Sequence, residues 1–288
     1  MKPKFVLMAS LLFSSLAGIA QQKAKLDTVF FEDFNERALN RDKWNVEVTG
    51  HTVNNEQQAY VDSAATIYLV KGAKTEGAKN GALVLKALYK PGYISKEQRK
   101  YDFLSGRINT RDKMEFTYGT ASVRMKMVSG AGMWPAFWAL GKGKWPDSGE
   151  IDVMETVGDS SWTSNALHGP GYFGNTPLAH RETFATGMDV TQWHIYSVDW
   201  TADALIFKTD DKVIYTVTRA MVEKYGKWAF DNPKFIILNF ALGGGYPHGV
   251  NKVDAPYFGL SQSSVDKIKN GQAKVYVDWV LVTRPKAN

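Results

Sequence analysis

Cysteine is absent from all 288 residues. Disulfides, thiolate metal ligands and a lipid-carrying thiol are therefore excluded. Stability has to come from a buried core, and a chain of this length can build one. Internal repeats, low-complexity stretches and Pro/Ser-rich linkers are also missing, so one domain is the simplest organisation. Beyond residue 20, no apolar run is long enough to read as a transmembrane helix. Helical periodicity is scarce: only Thr218–Tyr225 reads as a helix of any length, with weak one-turn candidates near Ser261–Lys269. The five histidines form no HExxH or related spacing, which gives no support to a catalytic metal. Dense basic blocks are lacking too. The formal charge is +6, and residues 1–20 hold two lysines and no acids, which leaves +4 for the remainder. That excess points to neither nucleic acid nor a membrane surface as partner. Nothing in the sequence calls for an oligomer, and a monomer is expected.

What is present begins with an export signature. Lys2 and Lys4 precede a mostly apolar stretch, Phe5 to Leu16, too short to span a bilayer comfortably. Gly18 and Ala20 are small residues suited to cleavage before Gln21. Residues 1–20 are expected to be a signal peptide, residues 21–288 one domain, and the mature chain secreted or periplasmic. Short β-prone runs separated by Gly, Asn and Asp dominate that domain. Strands are expected over 81–88, 119–128, 193–200, 204–209, 213–217, 235–240 and 274–283. A hairpin turn is expected at Asp210–Asp211–Lys212. The pattern predicts an all-β chain, an antiparallel β-sandwich or jelly roll.

One segment carries chemistry: WPDSGEIDVMETVG, residues 145–158. In a regular strand, Glu150 and Asp152 share a face and Glu155 points the other way. A β-bulge near Val153–Met154 resets the alternation and puts all three acids on one face, with Ile151 and one of Val153 or Met154 turned to the core. Carboxylates so close repel and raise one another's pKa values. A solvated acidic face or a calcium site is the bland explanation. Glycoside hydrolysis is the sharp one, because it needs one ionised carboxylate and one protonated carboxyl side by side. The upstream run GAGMWPAFWALGKGKWP favours the second reading, since Trp134, Trp138 and Trp145 offer rings that stack on sugar faces.

The stretch GMWPAFWALGKGKWPDSGEIDVMETVG resembles the signature of glycoside hydrolase family 16, and its EIDVME form resembles the laminarinase-like branch. Further segments follow in that family's order: FFEDFN at 30–35, NNEQQAYVD at 54–62, SGRINTRDKMEFTYGTASVRMKM at 105–127, LHGPGYFG at 167–174, WHIYSVDW at 193–200, FIILNFALGGGYP at 235–247 and YVDWVLV at 276–282. The resemblance implies a β-jelly roll of two antiparallel sheets with a concave substrate cleft. It implies Glu150 as nucleophile, Glu155 as acid/base and Asp152 as support for the nucleophile. Trp134, Trp138 and Trp145 would be cleft aromatics, and Asn55, Arg107 and His168 would line subsites. No cofactor is implied for catalysis. A structural calcium held by Glu32 and Asp278 is a further expectation from the resemblance, consistent with the oxygen ligands hard cations prefer.

The function this implies is an endo-acting, retaining hydrolase of β-1,3- or mixed-linkage β-1,3-1,4-glucan, with the β-glucan as its partner. A same-family galactanase (agarase, porphyranase or carrageenase) is the first alternative. Sulfated galactans call for basic residues in the cleft, and only Lys142 and Lys144 lie near the motif. A non-catalytic carbohydrate-binding protein on the same fold is the second alternative.

Overall fold

The computed structural model describes residues 26–51, 53–71, 75 and 77–286. The export segment expected over residues 1–20 lies outside the described residues. The chain enters through β1 (Leu26–Glu32), β2 (Asn45–Val46), β3 (Gln58–Tyr60), β4 (Ile67–Lys71) and β5 (Gly81–Lys86). Ala87 separates β5 from β6 (Leu88–Ile94), so the run expected to be one strand is two. Next come β7 (Lys100–Ser105), β8 (Arg107–Asn109), β9 (Gly119–Met127) and β10 (Met133–Gly141). The acidic segment forms β11 (Glu150–Glu155), followed by β12 (Trp162–His168), β13 (Ala179–Thr183) and β14 (His194–Trp200). A tight hairpin joins β15 (Ala204–Thr209) to β16 (Lys212–Thr218). Its two turn residues, Asp210 and Asp211, hold φ of 49° and 65°, a conformation that Asp tolerates better than bulkier residues. The chain closes with α1 (Arg219–Val222), β17 (Lys234–Leu242), α2 (Gly245–Asn251), α3 (Gln262–Lys269) and β18 (Lys274–Pro285).

Two large antiparallel sheets result. One runs β16-β15-β14-β9-β18-β5-β4, with β1 pairing alongside β18; the other runs β13-β12-β11-β10-β17-β8-β2. Their inner faces supply one core. Val123 and Met125 of β9, Val198 of β14 and Val280 of β18 meet Phe137 of β10, Ile151 of β11, Leu167 of β12 and Ile236 and Leu238 of β17. This is the two-layer sandwich the alternating pattern predicts. A small third sheet, β3-β7-β6, was not foreseen, and its β3–β7 pair is parallel.

The helices depart from expectation in both directions. Thr218–Tyr225 yields only the single turn α1, its start capped by the Thr218 hydroxyl, which accepts from Met221 N at 3.3 Å. The weak candidate near Ser261 is the longest helix among the described residues, α3, capped the same way by Ser261, which accepts from Ser264 N at 3.3 Å. Helix α2 has no propensity signal, since Gly245, Pro247 and Gly249 all disfavour helix. Tertiary contacts hold it: Gly245 N donates to Asn54 O at 2.6 Å, and Asn251 Nδ2 donates to Val157 O at 2.8 Å.

Candidate active site

Strand β11 is bulged where its acids require it. Its neighbour β10 places Leu140, Trp138 and Ala136 opposite Glu150, Asp152 and Glu155. Those β10 residues are two apart, so they share one face, and their three partners share it too. On the other flank, Asp152 faces Ala166 and Glu155 faces Ser164, with the register slipping between them. Three steps on β11 therefore match two on both neighbours, which is a one-residue bulge. Both Val153 and Met154 go into the core beside Ile151, rather than one of them. Two residues opposing one partner leave room for both side chains on the inner side.

Each glutamate meets an indole. Trp145 Nε1 donates to Glu150 Oε2 at 2.7 Å, and Trp134 Nε1 donates to Glu155 Oε1 at 2.8 Å. Asp152 lies between them, only 3% exposed, and hydrogen-bonds Glu150. His168 stands across from Glu150 on β12, its Nε2 3.2 Å from Asp152 Oδ2. Burial dominates the electrostatics. It pushes Glu150 up to about 8, with the Asp152 charge adding to the rise and His168 and the Trp145 bond opposing it. It pushes Glu155 up to about 7 against the pull of the Trp134 bond and of His168. Asp152 is raised well above its ordinary value, by burial first and the Glu155 charge second. All three carboxyls are raised by burial and titrate as a linked set rather than as independent groups.

Aromatic and polar side chains continue the same face. Asn239 of β17 stands opposite Ala136, and its Oδ1 accepts from Trp138 Nε1 at 2.8 Å while its Nδ2 donates to Tyr60 OH at 3.0 Å. Arg107 of β8 stands opposite Asn239 and packs over Trp138, 5.0 Å from the ring centre. On the other side, Trp145 is 44% exposed and meets the 51% exposed Phe173 edge-to-face at 5.4 Å. Trp134 packs edge-to-face against Tyr246 of α2 at 5.5 Å. The result is a row of paired carboxyls flanked by rings and hydrogen-bonding groups, the composition of a site for a polyhydroxylated, apolar-faced ligand.

The sequence profile of glycosyl hydrolases family 16 matches residues 40–280. The chain belongs to that family. It is 32% identical over 256 residues to glucan endo-1,3-beta-glucosidase A1 of Niallia circulans, covering 78% of this chain but only 35% of that protein. It is 29% identical over 270 residues to the beta-glucanase of Rhodothermus marinus, covering 90% of this chain and 85% of that one. Among solved structures, the laminarinase catalytic domain of Thermotoga maritima superposes with a TM-score of 0.75 at 28% identity, covering 91% of this chain and 99% of that chain. The protein is thus a glycoside hydrolase with the jelly-roll fold of its family.

Within this family 16 enzyme, the remaining expected site residues fall out differently. Arg107 is on the same face as the carboxyls but is ion-paired through Nε with Glu47 Oε2 at 2.8 Å. Asn55 is exposed in a left-handed turn, φ 58°, and its backbone carbonyl accepts from Gln57 Nε2 at 2.5 Å. The structure gives it a turn role and shows no contact with the carboxyls. Glu32 and Asp278, the expected calcium ligands, are both buried. Glu32 Oε2 lies 3.4 Å from Lys43 Nζ, and Glu32 Oε1 accepts from Phe34 N. Asp278 is ion-paired with Arg124 and accepts from Lys79 N at 2.9 Å. Each carboxylate thus lies beside a cationic side chain, while Glu32 Oε2 is buried without a hydrogen-bond donor. Among the described residues, the group of three ligand-type side chains with metal-like spacing is Glu150, Asp152 and His168, within 4.8 Å of one another. That group is the carboxyl cluster itself.

Several site residues escaped the sequence reading: Glu47, Glu56, Tyr60, Phe173, Asn239 and Tyr246. Asn239 had a signal, as the one polar residue inside the apolar run FIILNFAL. Glu56, which burial pushes up, sits in NNEQQ beside the Asn55 that was chosen. Tyr246 rides on the helix that propensity hides.

Proposed function

We propose that this chain is an endo-acting β-1,3- or mixed-linkage β-1,3-1,4-glucanase that works by double displacement with retention. The observation that carries the mechanism is the pair Glu150 and Glu155 on one face of a bulged strand, each receiving an indole N–H. The substrate assignment rests on the names of the relatives, a glucan endo-1,3-beta-glucosidase and a beta-glucanase.

Glu155, raised to about 7, keeps its proton at mildly acidic pH and serves as the acid. It protonates the glycosidic oxygen as Glu150 attacks the anomeric carbon, and the leaving chain departs. Glu155, now a carboxylate, takes a proton from water, which attacks the same carbon and releases Glu150 and a product of retained configuration. Glu150 must be ionised for the first step. Asp152 is raised well above its ordinary value, so a proton kept there removes the charge that adds to the rise of Glu150, and His168 favours the ionised Glu150. The charge on Glu150 is also favoured by the Trp145 N–H. No step calls for a cofactor. Arg107, Trp138, Asn239 and Tyr60 would bind sugars on one side of the scissile bond, and Trp145, His168 and Phe173 on the other. We also propose export of the mature chain as a monomer, supported by the basic start and apolar run of residues 1–20.

The test is reducing-sugar release by the mature protein from laminarin, cereal mixed-linkage glucan, agarose, porphyran and κ-carrageenan, with Glu150→Ala as control. Release from a glucan, abolished in the variant, is expected. Release from galactans alone would overturn the substrate, and an inverted anomer seen early by NMR would overturn the mechanism. Glucan binding with no release at all would leave a binding protein.

A further inference from the structure

We propose that Lys234 is a positioning residue for the nucleophile: it bolts down the turn that carries Trp145, so that the indole N–H meets Glu150. The inference rests on the hydrolytic reading above.

Lys234 lies on the core face of β17, in line with Ile236, Leu238 and Phe240, and is 0% exposed. An ammonium there is costly, and burial pushes it down to about 7. An apolar side chain would fill a core position at lower cost. Three protons meet three oxygens instead: Nζ donates to Ser148 O at 2.8 Å, Ala229 O at 2.9 Å and Asn232 Oδ1 at 2.6 Å. The rings of Trp200 and Phe230 stand 5.7 and 5.5 Å away, faces that favour a cation.

What the ammonium holds is the approach to β11. The turn over 144–149 closes on itself through Ser148 N to Lys144 O and Gly149 N to Pro146 O, both 3.0 Å. The Ser148 carbonyl points out of that turn and takes Lys234 together with Asn232 Nδ2 at 3.0 Å. Gly149, at φ +72°, lies so close to the same 229–232 segment that an added Cβ would stand 2.2 Å from Ala229 O. One end of this bolted turn is Trp145, whose indole donates to Glu150; the other leads directly into Glu150. Movement of the turn therefore moves the donor relative to the acceptor it serves. A purely structural lysine would affect stability without knowing about Trp145.

A double-mutant cycle on kcat/KM separates the two. Trp145→Phe removes the N–H donated to the nucleophile and is expected to cost on the order of 10- to 100-fold, the range of a charge-assisted hydrogen bond. Lys234→Met, measured on folded protein, is expected to cost about 10-fold, and the double variant should be no more than about threefold worse than Trp145→Phe alone. Losses that multiply across the two sites overturn the proposal, as does full activity in Trp145→Phe. Should Lys234→Met melt below the assay temperature, Asn232→Ala removes the second bolt and takes its place in the cycle, with the same outcomes deciding. The Glu150→Ala control keeps the two readings apart, because turnover surviving in it sinks the hydrolytic assignment itself.

Discussion

Replacing Trp134 with phenylalanine tests the acid assignment through a single bond. The indole N–H lies 2.8 Å from Glu155 Oε1 and lowers that group's pKa, so it stabilises the carboxylate more than the acid. Phenylalanine keeps a ring to pack against Tyr246 but has nothing to donate. A hydrogen bond to a charged group contributes about 1.5–3 kcal/mol. At about 1.36 kcal/mol per unit, its loss raises Glu155 by about 1–2 units, from about 7 towards 8–9. A water taking the place of the N–H brings the shift to the lower end. The assay is kcat/KM against pH from about 4 to 10, where the alkaline limb reports the acid of the free enzyme. That limb should move up by about one unit while the acidic limb stays in place. An alkaline limb that does not move, or that moves to lower pH, refutes either the donation to Glu155 or its role as the acid.

The companion substitution Trp145→Phe removes the donor to Glu150, so the acidic limb of the same profile should move to higher pH instead; movement of the alkaline limb would mean the two roles are reversed. Stability should respond to pH with a definite sign. Glu155 rises from 4.5 to about 7 on folding, so the stability its neutral form supplies is complete below about pH 4.5 and lost as pH rises through 7. The shift, 7 minus 4.5 at about 1.36 kcal/mol per unit, sets an upper bound of about 3 kcal/mol. Glu155→Gln should accordingly melt several degrees above the parent at pH 8 and close to it at pH 4.5, and an equal difference at both pH values would contradict the burial argument. Phe137→Ala deletes the core ring opposite Met154 in the bulge; it should cost about 3–5 kcal/mol in denaturant unfolding, and a loss under about 1 kcal/mol would mean that the bulge is not supported from the core side.

How much of this was legible follows from the range of the interactions. Strand positions were readable because alternation is local: β14, β15 and β17 fall within a residue or two of their expected limits. The bulge was readable for a less direct reason. Glu150, Asp152 and Glu155 make sense on one face only if one residue is extra, and register in both neighbours places the slip between Asp152 and Glu155. Partners across the sheet were not readable. Arg107 matched a cleft position, but nothing near it in sequence announces Glu47 as its counter-ion, and the same holds for Lys43 beside Glu32 and Arg124 beside Asp278. Helix α2 was hidden because its backbone is held by Asn54 and Asn251 rather than by propensity.

The bulge and the raised carboxyls are linked by one requirement. On a regular strand Glu155 would point into the apolar core among Phe137, Leu167 and Ile236, where a carboxyl has no partner and a large cost. The extra residue turns it instead to the face it shares with Glu150, where Trp134 meets one of its oxygens. There it remains buried enough to rise to about 7, yet it stays bonded and can accept a charge. Full solvation on the same face would return it to the ordinary carboxylate range and leave no proton to donate at neutral pH. The site therefore needs partial burial on the cleft side. A local register slip supplies it, while Ile151, Val153 and Met154 keep the strand anchored in the core behind.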